Sequence, residues 1–281
     1  MILWLRLELA HWLDRAEQKL RRLGEKWGYP QAWFQEFQAY LGQPRMELWE
    51  FHVRYTLLRM DAEKLLKPTM TEAEARAFYT THDYMLWRNL VHRRHSAWRR
   101  VLVTMPHAPG LLLEYGCGSA PIARWVASRR PYWTYAMIDL DGPARRYAAW
   151  HFRQHYDPER RRYRYAAESA DAQHGVMWSG IYIITALDVF EHLADPETHA
   201  RNLVERLRPG GYLHANVHFN PSANDLDLAS PDQLAATERY LATHLDLVWR
   251  KDEYCVWRKR HDALARVAPA PVADPCQSVG P

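Results

Sequence analysis

Through the first hundred positions apolar residues recur at three- and four-residue steps, the spacing that lines one face of a helix. Leu5, Leu9, Trp12, Ala16, Leu20 and Leu23 predict a first helix that ends at Gly28-Tyr29-Pro30. Further helices are predicted over Gln31–Leu41, Arg45–Leu66 and Thr71–Arg100, separated by Gly42-Gln43-Pro44 and Lys67-Pro68-Thr69. Thr71 and Glu74 stand at capping-box spacing at the start of the last one.

After Pro106 and Pro109 the pattern changes to short apolar runs alternating with helical stretches. Leu111–Tyr115, Tyr135–Asp139, Tyr163–Ala167, Ile181–Leu187 and Tyr212–Val217 predict buried strands. Leu245–Arg250 and Glu253–Arg258, joined through Lys251-Asp252, predict a terminal hairpin. Strand and helix in alternation imply an α/β fold: a doubly wound, mainly parallel seven-stranded sheet with a C-terminal hairpin, preceded by an all-helical unit. The expected division is a helical unit over 1–100, an α/β domain over 101–260 and a flexible tail over 261–281, where APAPVADP offers little to bury.

Composition narrows this only slightly. With 12 Gly and 17 Pro in 281 residues, neither collagen-like nor broadly disordered chain competes with a globular one. A formal net charge of +4 permits an acidic or nucleic-acid partner without requiring one. Cys117, Cys255 and Cys276 fit neither a zinc site nor a disulfide framework. Arg6, Glu8 and His11 interrupt the apolar N-terminus, which excludes a signal peptide, and no stretch suits a membrane span. The expected location is cytoplasmic.

The chemistry is densest where Leu111–Tyr115 runs into Gly116-Cys117-Gly118-Ser119-Ala120 and a helix. Glycines there let the backbone turn sharply and approach a ligand without Cβ atoms in the way. About twenty residues on, Asp139 ends the next strand, where a carboxylate can accept hydrogen bonds from both hydroxyls of a ribose. Asp141 is expected to cap the helix beginning at Gly142-Pro143. A dinucleotide fingerprint is excluded because Pro121 occupies its third glycine position.

These residues resemble the class I S-adenosylmethionine-dependent methyltransferases, most closely their small-molecule branch, over roughly residues 101–260. Glu114-Tyr115-Gly116-Cys117-Gly118 is similar to the family's first motif, and Asp139 to its ribose-binding acid. Ala186–Leu193 resembles the segment after its fourth strand, and Leu207–Leu213 the turn before its fifth. Ala120 stands where a third glycine is frequent, and Ile181-Tyr182 where Phe-Asp is common. The resemblance implies S-adenosyl-L-methionine as cofactor, with contacts from Glu114, Gly116, Cys117, Gly118, Asp139, Leu140, Asp171 and Leu187. Asp171 is preferred over Glu168 as the acid beside adenine.

Such an enzyme aligns the acceptor and excludes water, and for a hydroxyl acceptor a histidine base helps. His192 and His218, just past the fourth and fifth strands, are the candidate catalytic residues. Tyr79, His82 and Tyr84, on the helix leading into the α/β domain, are the candidate acceptor-binding residues. The expected function is methylation of a small metabolite at oxygen or nitrogen. RNA methylation and an inactive cofactor-binding scaffold acting through a protein partner are the alternatives, and a homodimer is the expected assembly if the tryptophan-rich helices pack on a second copy.

Other patterns carry less. Pro275-Cys276-Gln277 spells a pyrimidine methyltransferase nucleophile but lies in the tail. His92 with His95, and His151 with His155, have helical spacing for metal ligation, yet no carboxylate completes either set in the sequence. They are expected on solvated helix faces, and no metal is expected. Arg93-Arg94, Arg99-Arg100, Arg145-Arg146 and Arg160-Arg161-Arg162 are candidate phosphate contacts, outweighed by nearly as many acids.

Overall fold

The computed structural model describes residues 1–26, 32–67, 70–92, 97–155, 163–167, 178–216 and 227–261. Helices α1 (Ile2–Lys26), α2 (Ala32–Leu41), α3 (Leu48–Leu65), α4 (Glu72–Thr81), α5 (Tyr84–His92) and α6 (Trp98–Thr104) precede the first strand. Then follow β1 (Leu111–Tyr115), α7 (Pro121–Ala127), β2 (Thr134–Asp139), α8 (Pro143–His155), β3 (Tyr163–Ala167) and β4 (Ile181–Ala186). The chain continues through α9 (Pro196–Arg206), β5 (Leu207–Asn216), α10 (Pro231–His244), β6 (Leu245–Lys251) and β7 (Tyr254–Lys259). Beyond His261 the expected tail lies outside the described residues.

The strands form one sheet in the order β3-β2-β1-β4-β5-β7-β6. From β3 to β5 all pairings are parallel, and β7 enters antiparallel between β5 and β6. Both faces are covered, so the central strands are apolar at successive positions. Leu112, Met137 and Ile183 face one layer with Val101, Ile122 and Phe152. Leu113, Ile138 and Ile184 face the other with Leu203, Val204 and Leu241. Between β1 and β4 the strand order reverses, and the crevice outside the carboxyl ends of these strands is where open α/β sheets bind ligands.

Most boundaries move by a few residues at most, and two differences have a structural cause. β5 starts at Leu207 because Pro209-Gly210-Gly211 is taken up as a bulge: Ile181 pairs with Leu207, and Ile183 already pairs with Tyr212. The single helix expected over Thr71–Arg100 is divided. Its capping box forms, with Thr71 and Glu74 each accepting the other's backbone N–H. At His82, however, the backbone becomes extended, and the ring Nδ1 accepts the N–H of Tyr84. The side chain thus ends one helix and begins the next.

The helices before β1 pack on the sheet layers. Leu7 of α1 belongs to the same apolar cluster as Val101, Leu112 and Trp249. Phe34, Phe37, Phe51 and Trp87, from α2, α3 and α5, close around Tyr147 of α8. The face of α1 carrying Leu5, Leu9, Trp12 and Leu20 is the solvent face.

Candidate active site

The turn after β1 takes left-handed backbone at Gly116 (φ 64°), Gly118 (φ 50°) and Ala120 (φ 50°). Alanine pays roughly 1–2 kcal/mol for that conformation, which glycine would not. The turn is stitched to β2: Cys117 N–H donates to the Ile138 carbonyl at 3.0 Å, and Gly118 N–H donates to Asp139 Oδ2. Asp139 Oδ1 accepts the N–H of Leu140 at 2.7 Å. The carboxylate expected to meet a ribose is therefore fixed at the strand end by two backbone donors.

Glu114 is buried and turned toward α7. Its carboxylate accepts the N–H groups of Ile122 at 3.2 Å and Ala123 at 2.7 Å. Ala120 offers α7 no side-chain cap, so Glu114 supplies one from the neighbouring strand. Burial pushes its carboxyl up to about 8 against those donors, and Asp139 adds to the rise. Burial likewise holds the Cys117 thiol well above its usual range, with Asp139 and Glu114 contributing, so this cysteine is a packing residue. Leu187 is buried in the main core cluster, and Leu140 is half-buried beside Asp139.

The far wall is built after β4. Asp188 adopts φ 55°, and its Oδ1 accepts a hydrogen bond from Asn216 at the end of β5 at 2.8 Å. A Cβ on Gly116 would lie 2.4 Å from Val189 Cγ2, so only glycine lets the two loops meet. His192 ends a short 3-10 turn, with Nδ1 3.2 Å from Asp227 Oδ1 and Nε2 3.9 Å from Glu191 Oε1. The Glu191 carbonyl accepts N–H groups from both Leu228 and Ala229, which anchors the segment carrying Asp227.

Helices α4 and α5 close the site from above. A Cβ on Gly142 would come within 2.3 Å of the Tyr79 carbonyl, and one on Gly118 within 2.7 Å of Asn89 Nδ2. The Tyr79 ring lies 5.9 Å from that of His192, and its hydroxyl is buried with no hydrogen-bond partner among the described residues. Burial pushes that phenol far above its usual range, opposed by Arg88 and reinforced by Glu191, Asp139 and Asp227.

The structure thus gathers Glu114, Gly116, Cys117, Gly118, Asp139, Leu140, Leu187, His192 and Tyr79 around the carboxyl ends of β1, β2 and β4. His82 stacks on Phe78 at 5.0 Å and Tyr84 on Tyr55 at 6.0 Å, so these rings are used in packing among the helices. Asp171, Glu168, His218 and Cys276 lie outside the described residues. Sequence reasoning missed Asn89, Asp188, Asn216 and Asp227. Asp188 had a signal, being the residue after the fourth strand run, whereas Asp227 is brought in by a loop with no local pattern.

One expectation is corrected. His151 is buried rather than solvated, because Glu36 of α2 completes a polar cluster with His151 and His155. Their ligand atoms lie within 4.8 Å of one another, but Glu36 is already forked by Arg124 at 2.8 and 2.7 Å and bonded by Tyr147 at 2.9 Å. Burial raises the Glu36 carboxyl, but His151, Arg124 and Tyr147 together carry it below its usual value. The cluster is an ion-paired latch between α2, α7 and α8, with a guanidinium where a cation would sit. Other arginines are also turned inward: Arg99 and Arg100 reach the buried Asp14, and Arg145 pairs with Asp141.

The fold is that of solved O-methyltransferase family structures. Residues 113–213 match the family described as a methyltransferase domain. An O-methyltransferase family protein from Burkholderia thailandensis superposes with TM-score 0.51 at 15% identity, over 75% of this chain and 71% of that one. A protein from Nostoc punctiforme assigned as an O-methyltransferase gives TM-score 0.51 at 13% identity, over 75% and 72% of the two chains. No curated protein matches the sequence. Residues 113–213 thus match a methyltransferase domain, and the chain has the fold of these solved O-methyltransferase family proteins. Among the described residues, no helix is long and apolar enough to cross a membrane.

Proposed function

We propose that this enzyme methylates an oxygen or nitrogen atom of a small-molecule acceptor, with His192 as the proton acceptor. The observation that carries the reading is the meeting, at the sheet's switch point, of the Gly118–Asp139 pair with the His192–Asp227 pair. The residues present fit the cofactor: a left-handed glycine turn at the carboxyl end of β1, a fixed carboxylate at ribose position and a buried Tyr79 hydroxyl with no partner among the described residues. Gly116, Gly118, Asp139, Leu140 and Leu187 would hold it, with Glu114 supporting the turn from beneath. S-adenosylmethionine bound there would supply a sulfonium-activated methyl group for direct displacement.

The chain's own residues supply alignment and proton transfer. Asp227 beside Nδ1 favours the tautomer with the proton on that nitrogen, leaving Nε2 to accept a proton from the acceptor atom. Tyr79, Asn89 and α5 cover the site and keep water from the reacting groups. The inward turn of Arg99, Arg100 and Arg145 weighs against an RNA surface.

The test is methyl transfer from labelled cofactor into a small-molecule pool and into an RNA pool. Label should enter the small molecules, and His192→Gln should lower turnover by roughly 10²–10⁴-fold with cofactor affinity retained. Label in RNA alone would refute the acceptor class, and an unchanged His192→Gln rate would remove the base.

A further inference from the structure

Helix α1 is apolar on both sides. Leu7 and Ala10 are buried against the sheet layer, whereas Ile2, Leu5, Leu9, Leu13 and Leu20 are between 49% and 72% exposed on the opposite side. Polar solvent alone does not stabilise such a face, and exposed apolar patches of this kind mark interaction surfaces. Trp12 lies exposed along one border of it, and Trp4 is exposed further round the helix.

The charges around the stripe differ in exposure. The acids of the helix are drawn inward: Glu8 accepts Trp249 Nε1 at 3.1 Å, Asp14 holds Arg99 at 2.9 Å, and Glu17 holds Arg99 at 2.5 Å. Among the described side chains up to Leu20, the exposed charges of α1 are Arg6, Arg15 and Lys19. At 100° per residue Arg6 falls on one rim of the stripe beside the half-buried Glu17, and Arg15 and Lys19 fall on the other, on either side of the half-buried Glu8. Lys251 lies 5.9 Å from the Trp12 ring at the same border, where Asp252, 3.9 Å from Arg15, is the neighbouring acid.

We propose that α1 rests in the surface of a lipid bilayer bearing anionic headgroups. An apolar stripe whose exposed flanking charges are bases on both rims, with Trp12 at its edge, matches the chemistry of an interfacial helix lying in the plane of the headgroups. Residues 2–20 span about 28 Å, all available to lie flat on such a surface. A second copy fits less well, because a twofold pairing of this helix sets the exposed Arg6, Arg15 and Lys19 against one another, whereas Glu8 and Glu17 are half-buried and engaged with Trp249 and Arg99, and Asp252 lies beside Arg15. The helix lies on the membrane rather than through it.

Flotation of the full chain with phosphatidylcholine vesicles, with and without phosphatidylglycerol, tests this directly. Binding is expected to the phosphatidylglycerol vesicles and to fall as salt is raised. Leu5→Ser/Leu9→Ser/Leu13→Ser should lower partitioning at least roughly tenfold with an unchanged melting profile, because these side chains face solvent. Arg6→Gln and Lys19→Gln should each cost roughly fivefold. The proposal is overturned if the chain does not float, or if the triple variant floats as well as the parent. It is also overturned if light scattering shows a dimer, dissociated by the triple variant, in a chain that ignores vesicles.

Discussion

The carbonyl of Tyr79 stands so close to Gly142 that a single added methyl would come within 2.3 Å of its oxygen. Gly142 has no left-handed backbone to explain the glycine, so the approach of the two segments is what requires it. The contact ties the last turn of α4 to the start of α8, three residues after Asp139. The helical cover and the carboxylate expected to hold the cofactor are thereby held in one arrangement.

Gly142→Ala is predicted to force these segments apart and to cost about 1–3 kcal/mol of stability, the usual penalty for overpacking. Thermal unfolding reads the stability, and methyl transfer should fall by more than the unfolded fraction explains. An unchanged melting profile with full activity would show that the contact is loose in solution.

Tyr79→Phe removes a hydroxyl that is buried without a partner among the described residues. The fold should therefore lose nothing and gain up to about 1 kcal/mol, since an unsatisfied polar atom is no longer desolvated. If that hydroxyl meets the acceptor, KM for the acceptor rises in the same variant. A drop in stability would mean that the hydroxyl has a protein partner.

Glu114→Ala leaves the Ile122 and Ala123 N–H groups without an acceptor and is predicted to cost about 1–2 kcal/mol, as for a lost helix cap. Glu114→Gln keeps one acceptor oxygen and should cost less. The comparison also has a pH signature. The folded carboxyl sits at about 8 against an ordinary 4.5, so its contribution is fully present below pH 4.5 and is lost as pH rises toward 8. Chemical denaturation across that window should show the parent losing stability relative to Glu114→Gln by at most about 1.4 kcal/mol per pH unit. A parallel pH dependence of the two proteins would place the folded carboxyl near its ordinary value.

Much of the α/β half was legible because its strands are buried on both faces and bounded by turns. Leu111–Tyr115 and Tyr163–Ala167 stand as the pattern predicts, and Asp139 ends its strand beside the glycine turn. Two kinds of feature escaped. His82 broke a helix through a side-chain hydrogen bond to Tyr84 N–H, which leaves no trace in hydrophobic spacing. Asp227 and Glu36 reach His192 and His151 from elements remote in sequence, and the carboxylate completing each cluster exists only once the chain is folded. The periodicity of α1 was read correctly as an apolar face, but spacing alone does not say whether such a face meets the core or the outside.

The central claim is that the β1–β2 edge holds S-adenosylmethionine through Asp139. Because Asp139 also accepts the Gly118 and Leu140 N–H groups, the informative substitution is Asp139→Asn, which keeps a carbonyl oxygen for one of them. Calorimetric titration with S-adenosylmethionine and its demethylated product measures the effect directly. Saturable binding to the parent is predicted, weakened in Asp139→Asn by about 1.5–3 kcal/mol, the range for hydrogen bonds to a charged group. No binding to the parent, or equal affinity in a normally folded variant, would contradict the account.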